Sequence, residues 1–209
     1  MVLVKRIITR TISVCRNNEL VSEDDRMKQL FVIDLNDYNE NDTHFCRPSA
    51  RGIILKPNGK IALVYSKQKN YYKFPGGGIH VGEDKREALI REVKEEVGMI
   101  VKPDTIQEFG SVMRLQKSAD TPNTVFEQEN FYYLCQVEEE IQEQDLDAYE
   151  MEEGFELRIV ALEEAIATNK SCKCEDFFDQ VMVEREAKVL ELIREQCAKC
   201  ESRINADGR

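Results

Sequence analysis

A chain of 209 residues with 40 acidic against 29 basic side chains has a formal net charge of −11, which repels polyanions and disfavours nucleic-acid binding. Its hydrophobic content of 42% and charged content of 33% are those of one globular domain with decorations. No apolar run approaches the roughly 18 residues a membrane span needs, so a soluble, cytoplasmic protein without a membrane partner is expected.

Residues 11–14 alternate apolar and polar side chains, and 30–35 form a second apolar run with a polar stretch between them, the pattern of a β-hairpin arm. Residues 34–42, rich in Asn and Asp, read as turn and linker running to Pro48. Beyond Pro48 the pattern becomes that of a mixed α/β core, with strands at 50–55 and 61–66 joined by Pro57-Asn58-Gly59. A short strand at 71–74, a Gly-rich turn and a polar helix follow, then strands at 106–115, 131–137 and 155–160 and a short helix at 162–168. The last helix, 177–197, puts Met182, Val189, Leu190, Ile193 and Cys197 on one stripe, which is expected to pack on the core. The expected organisation is an arm and linker at 1–47, a core domain including the C-terminal helix at 48–201, and a tail at 202–209.

Seven cysteines, an odd count, point to reduced thiols. Cys172, Cys174, Cys197 and Cys200 have zinc-ligand chemistry, but the CxC spacing is short and a straight helix would separate the two pairs by about 30 Å at 1.5 Å per residue.

The chemistry concentrates between Gly76 and Met99. The run Pro75-Gly76-Gly77-Gly78 ends a strand and allows positive φ or a close backbone approach to a ligand. Asp84 suits a helix N-cap, with Glu87 three residues on in a capping-box-like arrangement, and Gly98 suits the C-terminal stop. Within that helix Glu92, Glu95 and Glu96 fall within about 100° of one another, beside an apolar face of Leu89, Ile90, Val93 and Val97. Like charges at i, i+3 and i+4 cost an isolated helix a few tenths of a kcal/mol per pair, so such a cluster calls for cations; oxygen ligands of this kind suit Mg²⁺ or Mn²⁺. A solvated acidic face is the plainer alternative.

Spacing decides between the two. The sequence matches Gly-x5-Glu-x7-Arg-Glu-U-x-Glu-Glu-x-Gly-U, with U aliphatic, at Gly77, Glu83, Arg91, Glu92, Val93, Glu95, Glu96, Gly98 and Met99. Seven fixed identities arise by chance in a chain this long on the order of once in a hundred thousand. The segment thus resembles the signature of the Nudix hydrolases. That resemblance implies an α/β/α sandwich around a mixed sheet, with the N-terminal β arm preceding it, and a Mg²⁺- or Mn²⁺-dependent enzyme. It implies Glu92, Glu95 and Glu96 as metal ligands and an Arg91–Glu83 ion pair that orients the box, although Arg91 has an alternative partner in Glu87. Gly76 and Gly77 would lie near the phosphates, and His80, in the same loop though outside the signature, is a candidate substrate contact. The general base in the family is either a box glutamate, here Glu95 or Glu96, or a glutamate on a distant loop; among Glu150, Glu152 and Glu153, Glu153 before Gly154 is the first choice. Phe74, with Tyr71 and Tyr72, either stacks on a base or packs in the core.

The expected reaction is hydrolysis of the pyrophosphate bond of a nucleoside diphosphate linked to another moiety, of nucleotide-sugar or ADP-ribose type. The alternatives are a pyrophosphatase that removes oxidised or noncanonical nucleoside triphosphates and a non-catalytic nucleotide sensor. Residues 113–117 contain neither the proline nor the tyrosine that marks two of the subfamilies. The arm resembles elements that ADP-ribose-type enzymes exchange in homodimers, a likeness of fold only.

Overall fold

A computed structural model of the protein describes residues 27–207. The chain forms strands β1 (Gln29–Asp34), β2 (Thr43–Cys46), β3 (Ser49–Lys56), β4 (Lys60–Ser66), β5 (Tyr71–Lys73) and β6 (Gly76–Gly78), then helix α1 (Lys85–Val97) and strand β7 (Met99–Val101). Strands β8 (Gln107–Lys117), β9 (Thr124–Leu134) and β10 (Val137–Ile141), helix α2 (Ala148–Glu153), strand β11 (Phe155–Ala161), and helices α3 (Leu162–Ser171) and α4 (Phe177–Asp207) complete it.

Nine strands make one mixed sheet whose main path is β1-β8-β9-β3-β4-β11, with β2, β5 and β6 branching from β9, β4 and β3. β8 and β9 form a long antiparallel hairpin, while β3 joins β9 in parallel. One face carries α1, whose Ala88, Leu89, Val93 and Val97 are fully buried against Ala50, Ile54, Ala62, Val64 and Phe131. The other face carries α3 and α4, which bury Leu162, Ile166, Val189, Leu190 and Ile193 against Ile53, Ile61, Leu63, Tyr72 and Phe74. The result is the expected α/β/α sandwich. At about 1.5–3 kcal/mol for each large apolar side chain, these two layers hold the sheet between them.

Several boundaries differ from the expected ones, for local reasons. The expected strand of the arm, β1, adds in parallel to β8, Phe31 lying opposite Val112; its supposed partner at 11–14 lies outside the described residues. The linker contains β2, which is exposed throughout and pairs with β9, so no apolar periodicity betrays it. Helix α4 extends well beyond residue 197, because residues 198–207 include neither Pro nor a helix-ending Gly. α1 is capped by a single bond from Arg86 N to Asp84 Oδ1 (2.8 Å) rather than through Glu87, and the reciprocal box sits at Asp147 and Glu150 of α2. Gly98 ends α1 at φ 67°, with its N–H on Lys94 O. Cys172 and Cys174 have sulfurs 3.6 Å apart, while Cys197 packs against the core layer under α4.

Candidate active site

The site is assembled by three pieces of backbone: the glycine strand β6, the helix α1 and the loop leading into α2. β6 pairs antiparallel with β3, Gly76 opposite Arg51 and Gly77 opposite Ala50. Gly76 has φ 143°, and a Cβ there would stand 2.1 Å from Ala50 O, so only glycine fits. At Gly77 the missing side chain leaves room for the Glu92 carboxylate, whose Oε2 would be 2.3 Å from a Cβ.

α1 then presents its three glutamates with different partners. Glu96 is buried: its Oε2 accepts from Gly76 N (2.8 Å) and its Oε1 meets Lys73 Nζ (2.6 Å), itself over the Phe155 ring. Glu92 and Glu95 share one cationic group, Arg91 Nη1 donating to Glu92 Oε1 at 2.8 Å and to Glu95 Oε2 at 3.0 Å. The rest of that guanidinium forks onto Glu83, Nε to Oε1 at 2.8 Å and Nη2 to Oε2 at 2.9 Å, and Nη2 also bonds Gly78 O. Arg91 is therefore the ion-pair partner of Glu83 and not of Glu87. These bonds hold the Glu83 carboxyl down at about 2. Burial, with the charges of Glu96 and Glu95 adding to it, raises Glu92 against the opposing pull of Arg91.

The loop before α2 is latched onto the end of α1. Gln142 N donates to Gly98 O, Asp145 N to Glu95 O (2.8 Å) and the Gln144 amide to Glu96 O, so carbonyls that a helix end leaves unpaired are satisfied by this loop. The latch carries Asp145, Asp147 and Glu150 to the helix face, where they join Glu92, Glu95, Arg91, Gly78, Ile79, His80 and Arg47 around an open cleft of about 350 Å³. Glu150 is pushed up to about 7, by burial first and by the neighbouring Glu96 next.

Two expected site residues lie elsewhere. Phe74 is fully buried, edge-on to Tyr132 in the layer under α4, so its ring faces no cleft. Glu153 is 6% exposed, its carboxylate bonded by Ser66 Oγ (3.0 Å) and Lys69 Nζ (2.6 Å), with Lys69 also tied to Asp179 of α4. It anchors the turn after β4, where Ser66 Oγ also donates to the Glu153 carbonyl (3.3 Å), and Gly154 at φ 65° ends α2 just beyond it. Glu150, one helical turn earlier, is the member of that acidic trio that lines the cleft. His80 is exposed at the cleft rim, its N–H on Glu83 Oε2. The Asp147-x-x-Glu150 capping box was a readable signal for α2; Arg47 had none, since an exposed cation before a proline reads as linker.

Hard carboxylate oxygens are the donors a small divalent cation prefers, and two of the three box carboxylates already bracket a cation, the Arg91 guanidinium. Among the described residues no three acidic, His or Cys side chains converge as a formed metal cluster. Glu92 and Glu95 are held by the guanidinium and Glu96 by Lys73, so the donor set fits a divalent ion in kind once those cations are exchanged for it.

The α/β/α sandwich carries a Gly-loop-helix signature on one layer, and that combination defines the class of fold. The family model for the NUDIX domain matches residues 46–177, and the chain belongs to that family. Over 66 residues it is 38% identical to an RNA pyrophosphohydrolase of Acinetobacter baylyi, covering 32% of this chain and 39% of the relative. Over 54 residues it is 46% identical to an ADP-ribose pyrophosphatase of Methanocaldococcus jannaschii, covering 24% of this chain and 31% of the relative. The chain thus spans between about three and four tenths of the length of these curated relatives. A solved NUDIX hydrolase from Nitrosomonas europaea superposes with a TM-score of 0.45 at 19% identity, over 68% of this chain and 89% of that one.

Proposed function

We propose that this chain hydrolyses the pyrophosphate bond of a nucleoside diphosphate linked to another moiety, of nucleotide-sugar or ADP-ribose type, with Mg²⁺ or Mn²⁺ held by Glu92, Glu95 and Glu96. The observation that carries the reading is the acidic cleft itself: five carboxylates from α1 and the α2 loop face the glycine strand with two guanidiniums among them. Acids in that number repel a diphosphate, so the cleft suits such a substrate only with cations present. A divalent cation bound there would screen the charge of the diphosphate oxygens and polarise the water that attacks phosphorus.

The chain's own residues do the remaining work. Glu150, half-buried and poised near neutral pH, accepts the proton of the water that adds to phosphorus; the bond from phosphorus to the bridging oxygen breaks, and the leaving phosphate carries the charge. Arg91 orients Glu92 and Glu95 rather than reacting, because its guanidinium donates to Glu83, Glu92 and Glu95 of the box and to Gly78 O. Arg47 and His80 stand on the cleft wall, where cationic or hydrogen-bonding groups meet the anionic substrate. The small amides of Gly76–Gly78 allow close approach of the substrate backbone.

A panel of nucleotide derivatives with Mg²⁺ and with Mn²⁺ tests this. Splitting ADP-ribose or a nucleotide sugar into two monophosphates supports the reading, whereas release of pyrophosphate from triphosphates alone replaces it with nucleotide-pool clearance. Tight binding without product over long incubation replaces it with a sensor.

A further inference from the structure

On the sheet face covered by α4, away from the acidic cleft, three guanidiniums are sealed into one layer. Arg51 of β3, Arg114 of β8 and Arg185 of α4 are 7%, 0% and 1% exposed. Arg51 donates Nε to Asn130 Oδ1 (3.2 Å) and Nη1 to Gly76 O (3.2 Å) and Phe74 O (3.5 Å). Arg185 donates Nε and Nη2 to Glu186 Oε1 at 2.9 and 2.7 Å and Nη1 to Gln128 Oε1 at 3.2 Å. Arg114 donates Nε to Gln116 Oε1 (2.7 Å) and Nη2 to Phe178 O (2.9 Å), and its buried Nη1 has no hydrogen-bond partner among the described residues.

Among the described residues the counter-charge in this layer is small. Glu186 is fully buried, and its oxygens already accept from Arg185, from Tyr132 OH (3.0 Å) and from Phe74 N (2.8 Å). Asp176 and Asp179 at the start of α4 draw on Arg114 from farther off, but Asp179 is spent on Lys69. Burial, and Arg185 and Arg51 beside it, push Arg114 down to about 9, which still leaves it cationic at neutral pH. An ordered water can satisfy an orphaned N–H, but it does not balance excess buried charge, and a native fold keeps such a group only where something else compensates it.

We propose that the layer between the β3–β8–β9 face and the first turns of α4 is an anion subsite, separate from the acidic cleft, in which Arg114, backed by Arg185 and Arg51, takes a phosphate-class oxyanion. The planar guanidinium fork is the group that matches such an oxyanion, and Nη1 is the donor left open for it. The half-buried Phe178 ring, stacked 3.8 Å over the guanidinium and edge-on to Phe126, is the cover the anion displaces. The phosphate arises either free or as part of a nucleotide.

The test uses the full chain with EDTA, so that the acidic cleft repels phosphate, and measures binding of inorganic phosphate and of AMP by calorimetry alongside thermal unfolding at matched chloride. Wild type is expected to bind saturably and to gain thermal stability. Arg114→Met and Arg114→Lys are both expected to lose about tenfold or more in affinity, the lysine because it keeps the charge but not the fork. Without phosphate, Arg114→Met is expected to melt no lower than wild type, because an uncompensated cation has gone. Preference for AMP assigns the site to a nucleotide's phosphate, and preference for inorganic phosphate assigns it to the free ion. Absence of saturable binding in wild type, undiminished binding in Arg114→Lys, or a melting loss in Arg114→Met that phosphate does not change overturns the proposal. None of these readouts depends on hydrolysis, so they stand or fall apart from the reading of the acidic cleft.

Discussion

The carboxylate of Glu92 occupies the space that any side chain at position 77 would need, with Oε2 2.3 Å from where a Gly77 Cβ would lie. The obstacle is the far end of a flexible side chain, so the fold can yield while the ligand set cannot. Gly77→Ala is therefore expected to cost little in melting temperature but to weaken divalent-cation binding, which calorimetry would read. Gly76→Ala meets backbone instead, at 2.1 Å from Ala50 O and at φ 143°, and is expected to lose about 1–3 kcal/mol of stability in denaturant unfolding.

Glu83 and Arg91 form the bidentate pair that fixes the loop to the helix. Because the folded carboxyl sits at about 2, below its ordinary value of 4.5, its ionised form favours the fold; that contribution is present above about pH 4.5 and is lost as pH falls towards 2. Glu83→Gln is expected to lower the melting temperature at neutral pH, with the difference from wild type shrinking below pH 4.5. A difference that persists unchanged at pH 2.5 would remove the ion pair from the account.

Glu150 carries the opposite sign. Its folded value of about 7 lies above the ordinary 4.5, so the fold favours its protonated form; stability from that source is complete below pH 4.5 and is lost as pH rises through 7. In EDTA, Glu150→Gln is expected to melt higher than wild type at pH 8 and alike at pH 4.5. If Glu150 takes the water's proton, the same variant also loses about a hundredfold or more in turnover, whereas Glu153→Gln loses stability through Lys69 and Ser66 with a smaller effect on turnover at low temperature. Equal turnover loss in the two variants would contradict the assignment.

Glu186 anchors α4 to the sheet through Arg185, Tyr132 and the Phe74 amide. Removing it strands a buried guanidinium, so Glu186→Ala is expected to cost about 3–5 kcal/mol in urea unfolding. A loss below about 1 kcal/mol would mean the network is relieved by water.

What the sequence disclosed follows from which interactions are local. The signature helix was legible down to its ends, because Asp84, the apolar stripe and Gly98 act within one element. The core strands were legible as apolar runs, and the long α4 as a stripe. By contrast, β2 is an exposed strand held by pairing with β9, through its backbone and through Thr43, His44 and Phe45, and β10 alternates little. Glu150 and Glu153 share one short helix, and sequence spacing did not tell that Glu153 packs on Ser66 and Lys69 while Glu150 lies beside Glu96 at the cleft. Phe74 read more readily as core than as a stacking ring, and the helix that buries it, α4, lies more than a hundred residues away. The layer of buried arginines had no signature, because Arg51, Arg114 and Arg185 sit on three separate elements and sequence spacing says nothing of their meeting.

The central claim is that Glu92, Glu95 and Glu96 together hold a divalent cation against the substrate. The most direct measurement is Mn²⁺ binding followed by water-proton relaxation in wild type and in Glu92→Gln, Glu95→Gln and Glu96→Gln, each checked for folding by thermal melting. The account expects about tenfold or greater weakening in each variant, with Mg²⁺ competing for the same site in wild type. Unchanged Mn²⁺ affinity in all three folded variants would contradict it.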